Sequence, residues 1–226
     1  MPDCFVRRVR QRADARGLRA GLAASGRRRA TLLVIPDAGA LPDAASHATL
    51  AGEMLAACRA GADRMALLDL WGADAAPEPA LGAFRAGLAG TPPQARGYGA
   101  AYHPPLQVDG VDHALPASAA MAGVIAALDR NHGVWKAPAN VPLIGTPTVA
   151  LDQAAFDRLT HPSDGLAVNA IRAMPGAGTL VWGARTLDAN SDNWRCLHVR
   201  RTVSWIGQSI RAGLTARVFE PNVAAI

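Results

Sequence analysis

Residues 30–39, "ATLLVIPDAG", decide how this chain folds. An apolar, β-branched run halted by Pro36 reads as a strand over Ala30–Ile35, buried on both faces as strands of a parallel sheet are. Outward from it, residues 43–61 read as a helix. Asp43 or Ser46 caps its start, and Leu50, Met54, Leu55 and Cys58 recur on one face. "DRMALLDLWG" then supplies a second strand over Met65–Leu70. Strand, helix and strand within this span form a right-handed βαβ unit. The fold class expected is therefore α/β: a mixed, largely parallel sheet with flanking helices.

Further along, Gly72–Gly97 is rich in Ala, Pro and Gly. It reads as a loop-like insert holding one short helix marked by Leu81, Phe84 and Leu88. A third strand is expected near Tyr98–Tyr102, stopped by Pro104 and Pro105. "LPASAAMAGVIAALDRNHG" reads as a helix with Pro116 in its first turn. Met121, Val124, Ile125 and Leu128 form its apolar stripe, and Gly133 ends it. Residues 137–164 read as loop, with prolines at 138, 142, 147 and 162. Two short strands follow around "MPGAG", then a helix in "HVRRTVSWIGQSIRAG". Its buried seam is expected to be Val199, Val203, Ile206 and Ile210, with Arg200, Arg201, Ser204 and Arg211 elsewhere on its surface. "ARVFEPN" begins a last strand, and no internal repeat is present.

The net charge of +5 is unevenly placed. Residues 1–29 hold nine arginines against Asp3 and Asp14, a net of +7, which leaves −2 for the rest. This basic segment admits a nucleic-acid role, but only Phe5 interleaves with the arginines, so there is no stacking platform for single strands. It is expected to be a solvated, poorly ordered terminus. Three dispersed cysteines (Cys4, Cys58, Cys196) argue for reduced thiols rather than a disulfide framework. No apolar run is long enough to span a bilayer, and the first 30 residues lack the apolar core of a signal peptide. The expectation is a soluble, cytoplasmic protein.

The candidate chemistry is thin. Neither GxGxxG nor GxxxxGK[ST] occurs, and "PGAGTLVWG" opens a strand rather than a phosphate-binding helix. Asp37 and Asp69 sit at the carboxyl ends of two expected parallel strands, where α/β sheets bind ligands. They define the alternative reading, a metal-dependent α/β enzyme; otherwise Asp37 caps a turn and Asp69 pairs with Arg64 or Arg185. Cys196 and His198 are too few to ligate zinc. Lys136, the chain's one lysine, lies between Trp135 and Pro138, which read as packing residues, so it is expected to bond a carboxylate or carbonyl rather than to act as a reactive amine.

Four segments in order carry a family resemblance: "RNHGVWKAPAN" (130–140), "GLAVNAIRAMPGAGTLVWGARTL" (165–187), "NWRCLHVRRTVSWIGQSI" (193–210) and "RVFEPN" (217–222). Together they resemble the core of contractile tail sheath proteins of myophages, tailocins and contractile injection systems. Residues 115–222 match best within a core domain over 30–226, after the arginine-rich segment 1–29. The resemblance implies a structural subunit, not an enzyme, with no cofactor. Such a subunit polymerises with other sheath subunits as a helical homo-oligomer around an inner tail tube protein, without membrane or nucleic acid as partner. It works in a virion tail sheath or phage-tail-like particle assembled in the bacterial cytoplasm. It further implies interface or framework roles for Trp135, Lys136, Pro138, Asn140, Asn169, Arg172, Trp182, Arg185, Arg200, Arg201, Glu220 and Asn222. Asn140 and Asn169 are expected to bridge backbone groups, and Arg200 and Arg201 to face an acidic partner surface. Against the family pattern the chain is expected to be truncated at both ends, without the linking arms that exchange strands.

Overall fold

The computed structural model describes residues 14–25, 30–108, 110–144 and 151–215. The expected βαβ unit is present, but its first strand is a half-buried edge strand rather than one buried on both faces. Strand β1 (Leu32–Val34) leads through a 3-10 turn at Pro36–Ala40 into helix α2 (Ala44–Gly61) and back to strand β2 (Met65–Leu68), parallel to β1. Asp43 caps α2 by accepting the Ser46 N–H at 2.7 Å. At the other end Ala62 adopts the left-handed conformation that closes the helix. Strand β3 (Gly99–His103) lies parallel to β2, and β5 (Val168–Met174) parallel to β3.

From β5 the sheet changes direction. The "MPGAG" segment turns tightly, with Gly176 and Gly178 at positive φ, and β6 (Gly178–Val181) returns antiparallel to β5. A two-residue strand β4 (Val141–Pro142) completes the order β1-β2-β3-β5-β6-β4. The sheet is thus mixed and mostly parallel. All residues of β2 and β3 are buried, and α2 and helix α5 (Ala117–Asn131) pack against β2. Leu55, Met121, Ile125, Val168 and Ile171 are almost wholly excluded from solvent.

Several expectations are corrected. Part of the arginine-rich terminus is ordered: helix α1 (Ala15–Ser25) places Leu18 in the core, and Arg19 pairs with Glu53 of α2 at 3.0 Å. The insert at 72–97 is mostly helical, with α3 (Pro77–Leu88) and α4 (Pro93–Arg96), each started by the fixed φ of a proline. The span 137–164 contains β4 and helix α6 (Gln153–Thr160), which Asp152 caps through the Ala155 N–H. The short helix expected at Leu81, Phe84 and Leu88 is thus α3, longer than anticipated, while α4 and α6 were concealed by the prolines and small residues around them. The anticipated strand at "ARVFEPN", with Glu220 and Asn222, lies outside the described residues.

Small residues set the spacing of the helices. A Cβ added to Gly87 of α3 would lie 2.4 Å from the Cβ of Ala48 on α2, so the two backbones approach too closely for any side chain there. Gly82, on the same helix, has open space around it. Gly87→Ala is expected to destabilise the fold by about 1–3 kcal/mol through overpacking. Gly82→Ala is expected to stabilise it by up to about 1 kcal/mol through helix propensity. Urea unfolding of the two variants checks the contrast.

Candidate functional site

The segment after α5 is built around a glycine. Gly133 has φ of +103° and its N–H donates to the carbonyls of Leu128 and Asp129. The Trp135 ring lies where a Gly133 Cβ would stand, 2.4 Å from that position. This proximity does not bury the tryptophan. Trp135 is 61% exposed, which corrects its reading as a packing residue; Pro138 alone of the pair is buried. Lys136 is exposed, and its backbone N–H donates to Gly133. Asn140 is also exposed, with φ of +57°, and its N–H donates to the carbonyl of Val181 at 2.7 Å.

Asn169 sits within β5, 2% exposed, and ties three stretches of backbone together. Its amide donates to the carbonyls of Ala101 at 3.1 Å and Arg185 at 2.9 Å, and its carbonyl accepts the Arg185 N–H at 2.7 Å. A side chain at Gly183 would collide with this amide. Arg185 donates onward to the Thr160 carbonyl at 3.2 Å. Trp182, half-buried, donates its N–H to Ala170 at 2.7 Å. Arg172 lies over the Phe156 ring at 5.0 Å.

Helix α7 (Leu197–Leu214) is inverted relative to expectation. Val199, Val203, Ile206 and Ile210 are 38–56% exposed, and Arg201 is buried. The guanidinium of Arg201 makes a two-pronged pair with the Asp129 carboxylate near the end of α5, at 2.8 and 2.5 Å. Gln208 donates to the Asp63 carbonyl, just beyond α2, and Arg211 to the Gly61 carbonyl at its end. The polar stripe thus holds the helix to the body by satisfying a buried charge and open carbonyls. Arg200 does not reach outward either: its guanidinium stacks 3.6 Å from the Tyr98 ring centroid and 4.2 Å from that of Trp194. An acidic partner surface for Arg201 is ruled out by the ion pair. The missed signal was a second stripe, Arg201, Ser204, Gln208 and Arg211, at the same helical period.

The two strand-end aspartates are not brought together as a ligand set. Asp37 is exposed in the 3-10 turn. Asp69 pairs with neither Arg64 nor Arg185, since Arg64 bonds Asp63 and the Ser25 carbonyl. Its carboxylate instead holds the start of α5, accepting the Ser118 N–H at 2.9 Å and the Ser118 hydroxyl. Among the described residues, no group of three or more His, Cys, Asp or Glu side chains lies close enough to hold a metal.

Burial raises the Asp69 pKa, while the Ser118 bonds pull it back. The folded state therefore takes up a proton more readily than the unfolded chain, and this group's contribution to stability grows as pH falls through that interval. A carbon-13 titration is expected to place Asp69 above the usual aspartate midpoint, and Ser118→Ala to move it higher. For α7, Arg201→Met leaves the Asp129 charge without its partner and is expected to cost about 3 kcal/mol. Arg201→Lys restores little of this, because an ammonium cannot span both oxygens. Denaturant unfolding of both variants checks the ranking.

No family model matches the sequence, and neither does any curated protein. Solved structures do match. The helical sheath of the anti-feeding prophage in its contracted state aligns with 97% of this chain at 28% identity, with a TM-score of 0.69. The contracted sheath complex of PVC, an extracellular contractile injection system, aligns with 86% at 33% identity and a TM-score of 0.65. A sheath tail protein from Desulfitobacterium hafniense shares the fold at 15% identity and a TM-score of 0.61. The chain spans about half the length of these proteins, 56%, 50% and 44% respectively. The mixed sheet and the sequence identity agree on one likeness: over nearly its whole length this chain is similar to the sheath proteins of contractile injection systems.

Proposed function

We propose that this chain is a structural subunit of a contractile sheath. It polymerises with other copies in a helical array around an inner tube protein, and contraction of the array drives the tube through a target envelope. The observation that carries the reading is the 97% coverage by a helical sheath subunit in its contracted state, at 28% identity. The role is mechanical rather than catalytic. Two packings of near-rigid subunits make a bistable device, and the difference between them supplies the stroke. Assembly takes place in the bacterial cytoplasm, and neither membrane nor nucleic acid is a partner. No helix among the described residues is long and apolar enough to cross a membrane.

The exposed loop bearing Trp135, Lys136 and Asn140 is the contact this reading assigns to a neighbouring copy or the tube. Pro138, Asn169, Arg172, Trp182, Arg185, Arg200 and Arg201 act as its framework. Coexpression with an injection-system tube protein, followed by negative-stain electron microscopy, is expected to show helical arrays. Trp135→Ala with Lys136→Met is expected to reduce them without changing the melting temperature. Separate particles under all conditions, or strong thermal stabilisation by Mg²⁺ with a phosphate ligand, would overturn the sheath role.

A further inference from the structure

Two histidines are shut into the layer between the sheet and helices α2 and α3. His47, in the first turn of α2, and His103, the last residue of β3, are each 4% exposed. Alternation along β3 puts His103 on the same face as Gly99, the position that Leu55 of α2 packs over. His103 therefore faces α2 and its neighbour α3. Helix α2 returns antiparallel to the strands. Counted from the contact of Leu55 with Gly99, eight residues back along α2 and four forward along β3 are both advances of about 12–13 Å toward one end of the sheet. The two imidazoles thus lie at one level, where α2 starts.

Neither imidazole pairs with a carboxylate among the described residues. The Nδ1 of His103 is buried without a hydrogen-bond partner. The ring of His47 lines a small cavity with Ile35, Leu50, Met54 and Asp69. The charges nearby are already committed. Asp69, after β2, holds Ser118. Glu78 of α3 acts on His103 but is paired with Arg158 of α6, and Arg85 of α3 bonds the carbonyls of Arg158, Leu159 and Leu166. On β5, Ala170 stands beside His103, and Arg172 lies over Phe156. Asp43, which caps α2 itself, holds the Ser46 N–H, and Asp37 of the 3-10 turn is exposed.

We infer that His47 and His103 form an acid-sensitive latch: neutral, they let α2 and α3 close on the sheet; protonated, they force that end of the layer open. A buried imidazolium without a carboxylate is a charge taken out of water with nothing to offset it. Burial pushes both groups from 6.5 down to about 4, and it is the sole influence on His47. The unfolded chain therefore takes up both protons at a pH where the closed fold does not. The stability held by the neutral rings at pH 7 is lost as pH falls from 6.5 toward about 4. The loss is about tenfold in the folding constant per pH unit for each histidine. Asp69 opposes it, because the folded state holds that proton more readily. The latch belongs to the single chain and does not depend on the sheath role.

The test uses the full chain. Urea unfolding at a series of pH values from about 6.5 to about 4.5 is expected to show the folding constant falling with acid. His47→Gln and His103→Gln are each expected to remove about one power of ten per pH unit from that slope. A substitution that merely weakens the fold shifts the curve without changing its slope, and Asp69 and His198 stay in place in both variants. In the unaltered chain, nitrogen-15 spectra are expected to show both rings neutral near pH 5.5. Hydrogen exchange near pH 5 is expected to quicken first in residues 44–50 and 99–103. A flat stability profile of the unaltered chain overturns the inference, as does a slope that either substitution leaves unchanged. So does either ring titrating above about pH 6 in the folded chain, a reading that needs no variant to fold, or acid-quickened exchange that begins elsewhere.

Discussion

One ion pair orients the last described helix of this molecule. Arg201 and Asp129 neutralise each other where the side chain of Arg201 is only 3% exposed, and a guanidinium there without its carboxylate would carry a heavy desolvation cost. Once that pair forms, the rotation of α7 about its axis is settled. Its polar stripe reaches the carbonyls at Gly61 and Asp63, and its valines and isoleucines turn to solvent. Leu197 anchors the start of the helix in the core, and beyond it the helix is held by directional bonds. Hydrophobic matching is tolerant of small rotations; a bidentate charge pair is not.

The same pair shows where the sequence is readable and where it is not. The βαβ start was legible from residues 30–70, because a run of β-branched residues stopped by a proline and a helix with a single buried stripe admit one arrangement. The cap at Asp43 and the turn at "MPGAG" were legible for the same local reason. Helix α7 was legible as a helix but not in its orientation. It carries two stripes at the helical period, and periodicity does not say which one faces inward. The answer depended on Asp129, 72 residues away in sequence. Helix α3 was half-read, since Leu81 and Phe84 mark its stripe while the surrounding Ala, Pro and Gly imitate a loop.

The site residues divide along the same line. Asn169 is a framework residue whose role follows from geometry alone: a buried amide that uses both its donor and acceptor sides on backbone groups. Trp135 looked like core because tryptophans usually are, yet a glycine at positive φ lets its ring lie flat over the chain while most of it stays wet. Asp69 looked like a ligand because of where its strand ends. The serine that opens α5 takes up that carboxylate, and a position that serves catalysis in many α/β proteins here fastens a helix to a sheet.

The near contact of Gly87 with Ala48 bears on stiffness. Helices separated by flexible side chains can slide as those side chains change rotamer, and the interface absorbs a push. Helices that meet backbone to backbone have nothing to compress. The α2–α3 pair is such an interface, and Gly99, whose missing Cβ leaves room for Leu55, joins the same helix to the sheet on the same terms. A load applied at one face of this domain is therefore delivered to the opposite face with little loss, as through a solid block.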